Sequence, residues 1–179
     1  RALANNSVAY KGKPQMGTFM REWLSLYESK SGERGIFNRK SAKVQAAKNG
    51  RRDAEQDFGC NPCSEIILRP YQFCNLSEVV VRETDTQQSL TEKVRLATIL
   101  GTFQSTLTNF RYLRKIWKDN TEEERLLGVS LTGIMDNEMT SGRSAHIGMN
   151  IGTTLEALKD VAINANKAMA KQLKIPQST

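Results

Sequence analysis

Seven consecutive residues, Gly59-Cys60-Asn61-Pro62-Cys63-Ser64-Glu65, bring a thiol, an amide and a carboxylate into one short stretch. In an extended backbone alternate side chains point the same way, so Asn61, Cys63 and Glu65 are expected on one face. At ~3.3 Å per residue they would lie within roughly 7 Å of one another. A thiol can serve as a nucleophile, a redox partner or a radical carrier. A carboxylate two positions away can act as a general base, and an amide can orient a substrate hydroxyl. The plainer reading of the same spacing is a small cysteine buried in a strand. Cys74 completes the set, and all three cysteines of the chain fall between positions 60 and 74.

Other chemistries fit these residues less well. Cys60-Asn61-Pro62-Cys63 is a C-x-x-C with proline before the second cysteine, as in thioredoxin-like redox sites. Those sites need a strand leading in and a helix starting at the motif. Here Asp53–Gly59 is polar and loop-like, and Ile66-Ile67-Leu68 reads as a strand. Three thiols are one ligand short of a structural zinc site. The single histidine, His146, stands far away in a Gly/Ser-rich stretch where exposure is expected. Neither G-x-x-x-x-G-K-[ST] nor G-x-G-x-x-G occurs, so the glycines at 128 and 133 do not mark a phosphate cradle.

Composition bounds the rest. The chain has 179 residues, 39% hydrophobic and 25% charged, the balance of one soluble globular domain and not of a disordered segment. No apolar run approaches the ~20 residues of a spanning helix, so no membrane partner is expected. No secretory leader opens the chain, and an odd cysteine count argues against a secreted disulfide scaffold, which points to the cytoplasm. Arg1 stands where a start methionine would, so the chain reads as a piece of something longer. The net charge of +7 is spread out. Its densest stretch, Arg111 to Lys118, lies beside Tyr112 and Trp117 and could face nucleic acid. The simpler expectation is the basic side of a helix with Trp117 packed inward, and no nucleic-acid partner.

The elements that must position the cysteines follow from periodicity. Ala4–Tyr10 reads as a short strand. Phe19, Met20, Trp23, Leu24 and Tyr27 mark an amphipathic helix capped by Thr18, with Phe19 and Trp23 as core. A short helix is expected over 40–48. Residues 59–83 read as extended, with Val79-Val80-Val81 a β-branched run. A long helix follows, boxed by Ser89 and Glu92, with an apolar stripe through Leu96, Ile99, Leu100, Phe103, Leu107, Phe110 and Leu113. Thr121 with Glu124 suggests a second box and a shorter helix through Leu127. Gly128 to Gly133 reads as a helix exit into a tight turn, and 137–152 as loop. A last helix starts near Thr153, with Leu155, Leu158, Ala162, Ala165 and Met169 on one face, and ends by Pro176. Strands alternating with helices favour an α/β class.

Asn61-Pro62-Cys63-Ser64-Glu65-Ile66, followed by Phe73-Cys74-Asn75-Leu76-Ser77, resembles the active-site finger loop of ribonucleotide reductases, and most of all the adenosylcobalamin-dependent class II type. Ala4-Asn5-Asn6-Ser7-Val8, Ser31 to Arg39 (with Glu33 and Arg34, for which no chemical role is assigned) and Leu127 to Ile134 resemble further segments of that family in the same order. The resemblance implies an α/β fold, a partial segment of a ten-stranded α/β barrel with several amphipathic helices. Residues 1–179 would be the central part of that barrel domain, incomplete at both ends and inactive in isolation.

The resemblance also implies roles. Cys63 would carry a thiyl radical generated with adenosylcobalamin and abstract the 3′ hydrogen of a ribonucleoside di- or triphosphate. Glu65 would take the 3′-hydroxyl proton. Asn61 and Ser64 would bind substrate. Cys74 would be one of two reducing cysteines, its partner lying outside this chain, and would be re-reduced by a thioredoxin-like or glutaredoxin-like protein. Cys60 departs from the family, which more often has a small polar residue there, and is read as inert. A phosphate-binding loop, an allosteric region and shuttle cysteines are not in the sequence, so activity would need the remainder of the reductase or self-association. The alternative is a non-catalytic remnant or split-gene piece that works only with a partner polypeptide.

Overall fold

A computed structural model of the chain describes residues 7–32, 35–48, 50–143 and 150–179. Glu33, Arg34 and His146, and the family-like residues before Ser7, lie outside the described residues. The chain divides into two compact units, Arg1–Gln72 and Phe73–Thr179.

In the first unit, strand β1 (Val8–Tyr10) pairs in parallel with β2 (Ile36–Asn38). Between them runs helix α1 (Met16–Ser29), and after β2 comes α2 (Arg39–Ala47). The side chain of Asn38 caps α2 by accepting from the Ser41 amide at 3.0 Å. A two-residue strand β3 (Gly59–Cys60) then pairs antiparallel with β4 (Ile67–Leu68). The core is Phe37, Ala42, Ala46 and Phe58, with Cys60 and Ile67 packed against it. Helix α1 forms where the spacing places it, but it buries no residue, and its cap position is Gln15, not Thr18. Trp23 is therefore not core: it is 56% exposed and stacks on Phe19 with ring centroids 6.3 Å apart.

The second unit is built on a parallel pair, β5 (Asn75–Val80) and β6 (Leu127–Thr132), in register from Asn75 opposite Leu127 to Val80 opposite Thr132. Parallel strands need a crossover, which α3 (Gln87–Gln104) and α4 (Lys115–Glu124) provide. A 3-10 turn (Ile134–Asp136), the short α5 (Glu138–Ser141) and α6 (Ile151–Leu173) follow. The core is Val79, Val81, Leu90, Val94 and Leu158. Among the described residues the strands pair only two by two.

Several expectations are corrected here. The run from Gly128 is not a helix exit: residues 128–132 lie in β6, and the tight turn follows at Gly133, where φ is 74° and an added β-carbon would stand 2.5 Å from the Val81 carbonyl oxygen. The Ser89–Glu92 box is replaced by one a turn earlier. Thr86 accepts from the Ser89 amide at 3.2 Å and Ser89 from the Thr86 amide at 2.9 Å, while Glu92 is taken by Arg95. The long helix stops at Gln104, so 105–114 is turns and only Lys115 onward is helical again. Thr121 is not a cap but a buried residue near the end of α4. Part of the 137–152 segment forms α5. Helix α6 is boxed by Asn150 and Thr153, three residues before the expected start, and Leu155 faces solvent.

The buried face of α3 also differs from the expected stripe. It consists of Leu90, Val94, Thr98, Gly101 and Thr102, while Leu96, Leu100 and Phe103 are exposed. The hydroxyls of Thr98 and Thr102 bond the carbonyls of Val94 and Thr98, each at 2.7 Å, so burial leaves them satisfied. Gly101 admits β6: a β-carbon there would stand 2.2 Å from Cδ1 of Leu127. Asn166 of α6 donates to Thr102 at 3.0 Å and accepts from the Ser178 amide at 3.0 Å. Ser178 in turn accepts from the Leu127 amide at 3.0 Å, tying the chain beyond α6 to the start of β6. No helix among the described residues is long and apolar enough to cross a membrane.

Candidate functional site

The chemistry-bearing residues of the first unit sit on the loop between β3 and β4, residues 61–66. Register opposes Cys60 to Ile67, so those six residues must reverse the chain. Pro62 suits the second position of a reverse turn because its φ is fixed. The turn is closed by the Ser64 amide donating to the Asn61 carbonyl at 3.0 Å. Ser64 takes a φ of 68°, the left-handed region that a non-glycine residue enters at a cost. Upstream, Arg52 holds the hairpin from below. Its guanidinium donates to the Ile67 carbonyl at 3.0 Å and lies 4.9 Å from the centre of the Phe58 ring. The preceding polar segment is itself braced. Amide donation from Glu55 and from the Gln56 side chain, each at 2.9 Å, holds the Asp53 carboxyl below its usual range.

The segment is therefore a turn and not an extended strand, and the expectation of three side chains on one face is corrected. The turn brings Asn61 and Glu65 together without Cys63. The Asn61 side-chain amide donates to the Glu65 carboxylate, and its oxygen accepts from the Ile66 amide at 3.0 Å. One asparagine thus clamps both ends of the loop. Cys63 stands exposed on the turn between them. Cys60 is half-buried, its thiol donating to the Ser64 hydroxyl at 3.5 Å. This contact was not legible from the motif, although the Asn-Pro dipeptide is a recognised turn signal.

Cys74 belongs to the second unit. It lies just before β5, half-buried, with its two neighbours fixed. The Phe73 amide donates to the Thr121 hydroxyl at 3.3 Å, and the Phe73 ring stacks on Trp117 at 4.7 Å and meets Phe110 edge-on at 5.1 Å. Asn75 donates to the Leu126 carbonyl from its amide at 2.8 Å and from its side chain at 3.1 Å. Trp117 is half-buried in this aromatic group, close to the inward packing expected of it. None of the three cysteines is in a disulfide. The C-x-x-C has strands on both sides and no helix starting at it, unlike a thioredoxin-like site. Among the described residues no group of three or more His, Cys, Asp or Glu could hold a metal ion. A surface cavity of about 480 Å³ in the second unit is lined by residues 106–111 and Lys118 and does not include Cys74.

An exposed thiol on a turn that also carries an amide-held carboxylate can act as a nucleophile or redox group while the carboxylate accepts a proton. The chain is similar to a ribonucleotide reductase. That relative is the adenosylcobalamin-dependent ribonucleoside-triphosphate reductase of Lacticaseibacillus paracasei, 31% identical over 141 residues, a match covering 76% of this chain and 18% of the relative. The chain thus spans under a fifth of the length of the protein it matches. No protein-family profile matches the chain. No solved structure matches it.

The Cys63 thiol is exposed, so a bound reactant or cofactor would have access to it.

Proposed function

We propose that this chain is the central part of the catalytic barrel of a class II ribonucleotide reductase, and that its 61–66 loop is the finger that reduces ribonucleotides to 2′-deoxyribonucleotides. The observation that carries this reading is the Asn61 clamp, which holds the Glu65 carboxylate on the same turn that exposes Cys63. Adenosylcobalamin supplies the radical in this reading. Cys63, as the thiyl, takes the 3′ hydrogen of the ribose. Glu65 takes the proton of the 3′-hydroxyl, and Asn61 and Ser64 position the sugar. The 2′-hydroxyl leaves as water, Cys74 and a second cysteine outside this chain supply the two electrons and two protons and end as a disulfide, and Cys63 and Glu65 return the 3′ hydrogen and the 3′-hydroxyl proton. A thioredoxin-like or glutaredoxin-like dithiol then restores them. Holding these groups on a closed turn removes orientational freedom before the reaction.

The alternative reading is a non-catalytic remnant or a split-gene piece that acts only together with a polypeptide supplying the rest of the barrel. One experiment addresses both. The complete reading frame containing this chain is assayed for deoxyribonucleotide formation from ribonucleoside di- and triphosphates, with adenosylcobalamin and dithiothreitol. Turnover that disappears in Cys63→Ser and Glu65→Gln is the expected result. Turnover retained in Cys63→Ser overturns the radical assignment, and none in the wild type until a second polypeptide is added supports the split arrangement.

A further inference from the structure

We propose that Cys60 and Cys63 form a reversible internal disulfide that withdraws the Cys63 thiol when the surroundings become oxidising. That Cys63 is the thiol of consequence rests on the function proposed above; the disulfide itself does not.

Three observations carry it. The two cysteines are separated by two residues on a loop that reverses direction between β3 and β4. The Cys60 sulfur already reaches across the turn to within 3.5 Å of the hydroxyl of Ser64, the residue bonded to Cys63. The exposures differ in the way a two-step exchange requires: Cys63 is open to an incoming oxidant, and Cys60 is half-buried and less open to it. Thiol–disulfide exchange selects the accessible sulfur first and the nearby one second. Linkage through two residues makes the second step intramolecular, at an effective concentration of millimolar order or above.

The oxidant is a small-molecule disulfide such as glutathione disulfide. The Cys63 thiolate attacks one of its sulfurs, the sulfur–sulfur bond breaks, and one glutathione leaves as thiolate, giving a mixed disulfide on Cys63. The Cys60 thiolate then attacks the Cys63 sulfur and expels the second glutathione. The protein loses two protons and two electrons, and the glutathione disulfide gains them as two thiols. An added dithiol reverses both steps. While the bond stands, Cys63 has no sulfur–hydrogen bond from which a radical can be made. Cys60, the residue that departs from the family pattern, thereby acquires a role.

The full chain is equilibrated across a series of glutathione disulfide to glutathione ratios, quenched with iodoacetamide, and cut after glutamate. Residues 56–65 then carry Cys60 and Cys63, and residues 66–78 carry Cys74. The expected result is that the 56–65 peptide passes from doubly alkylated to unalkylated and two hydrogens lighter, reverts with dithiothreitol, and leaves Cys74 alkylated throughout. In Cys60→Ser the same series should stop at glutathione bound to Cys63. A wild-type peptide that keeps glutathione on Cys63 with Cys60 alkylated overturns the proposal. So does a cross-link to Cys74, or two cysteines that stay alkylated across the whole series. None of these readings requires turnover, so failure of the proposed activity leaves the test intact.

Discussion

Replacing Asn61 separates the two jobs its side chain performs. Its oxygen accepts from the Ile66 amide at 3.0 Å and its nitrogen donates to Glu65. In Asn61→Ala both bonds are lost, and the half-buried Ile66 amide keeps no partner from residue 61. A hydrogen bond of this kind is worth about 1 kcal/mol, which converts to roughly fivefold in a local opening equilibrium. Asn61→Asp keeps an acceptor for Ile66 but sets a second carboxylate against Glu65, so the Glu65 end is repelled while the Ile66 end is held. Amide hydrogen exchange followed by nuclear magnetic resonance reads the loop residue by residue. Ile66 should exchange about fivefold faster in Asn61→Ala and near the wild-type rate in Asn61→Asp. The Leu90 amide, which donates to Thr86 at 3.0 Å in the other unit, serves as the reference and should not change. Equal exchange of Ile66 in the wild type and Asn61→Ala would refute the clamp. Equal acceleration in both variants would show that the Glu65 bond, and not the Ile66 bond, shapes the turn.

Two further outcomes test the frame of the second unit. The Lys93 ammonium, with the Ser89 hydroxyl and the Arg82 amide, holds the Asp85 carboxyl down to about 2 against an ordinary 3.8. A depressed carboxyl stabilises the fold above its unfolded value and loses that contribution as pH falls through its folded one. Allowing for the partly exposed Lys93, Asp85→Asn should cost about 1–2 kcal/mol at neutral pH. The difference in urea midpoint should close as pH is lowered from about 4 toward 2, and a pH-independent difference would contradict the ion pair. On α3, Leu90 is fully buried and Leu100 is 66% exposed. Leu90→Ala should therefore cost about 2–5 kcal/mol and Leu100→Ala less than about 0.5, and the reverse order in denaturant titrations would mean that the other face of the helix is packed.

Helix α3 shows what limits a reading of the fold from sequence. Counting apolar residues selects Leu96, Leu100 and Phe103, because periodicity registers hydrophobicity alone. The packed face is instead defined by shape and internal satisfaction. Thr98 and Thr102 hide their hydroxyls in the helix's own carbonyls, and Gly101 lets Leu127 approach. Neither device raises an apolar count. The capping boxes differ from the sequence expectation for a related reason: Thr86, Ser89 and Thr121 all carry hydroxyls suited to a cap, and tertiary partners decide which one is used. Thr121 is taken by the Phe73 amide, while Asp85 fixes Ser89 as the third residue of α3 rather than its cap. At residues 128–133 two glycines suggest a turn, whereas pairing with β5 holds Gly128 in a strand and leaves only Gly133 to make the turn.

The candidate site was legible in composition and not in conformation. The thiol, amide and carboxylate of Asn61, Cys63 and Glu65 are visible in the sequence, and so is the similarity to reductases. Alternation along an extended chain puts all three on one face only if the backbone stays extended. Pro62 fixes one φ in the turn, Ser64 adopts a φ of 68°, and the chain reverses within the motif. The consequence is chemical as well as geometric. In a strand, Asn61 and Glu65 would flank Cys63 at equal spacing. In the turn they bond to each other, which leaves the thiol on an exposed apex and brings Ser64 to the thiol of Cys60. A site of this kind is held by one side chain closing a loop, so its precision depends on Asn61 more than on the strands β3 and β4, which are only two residues long.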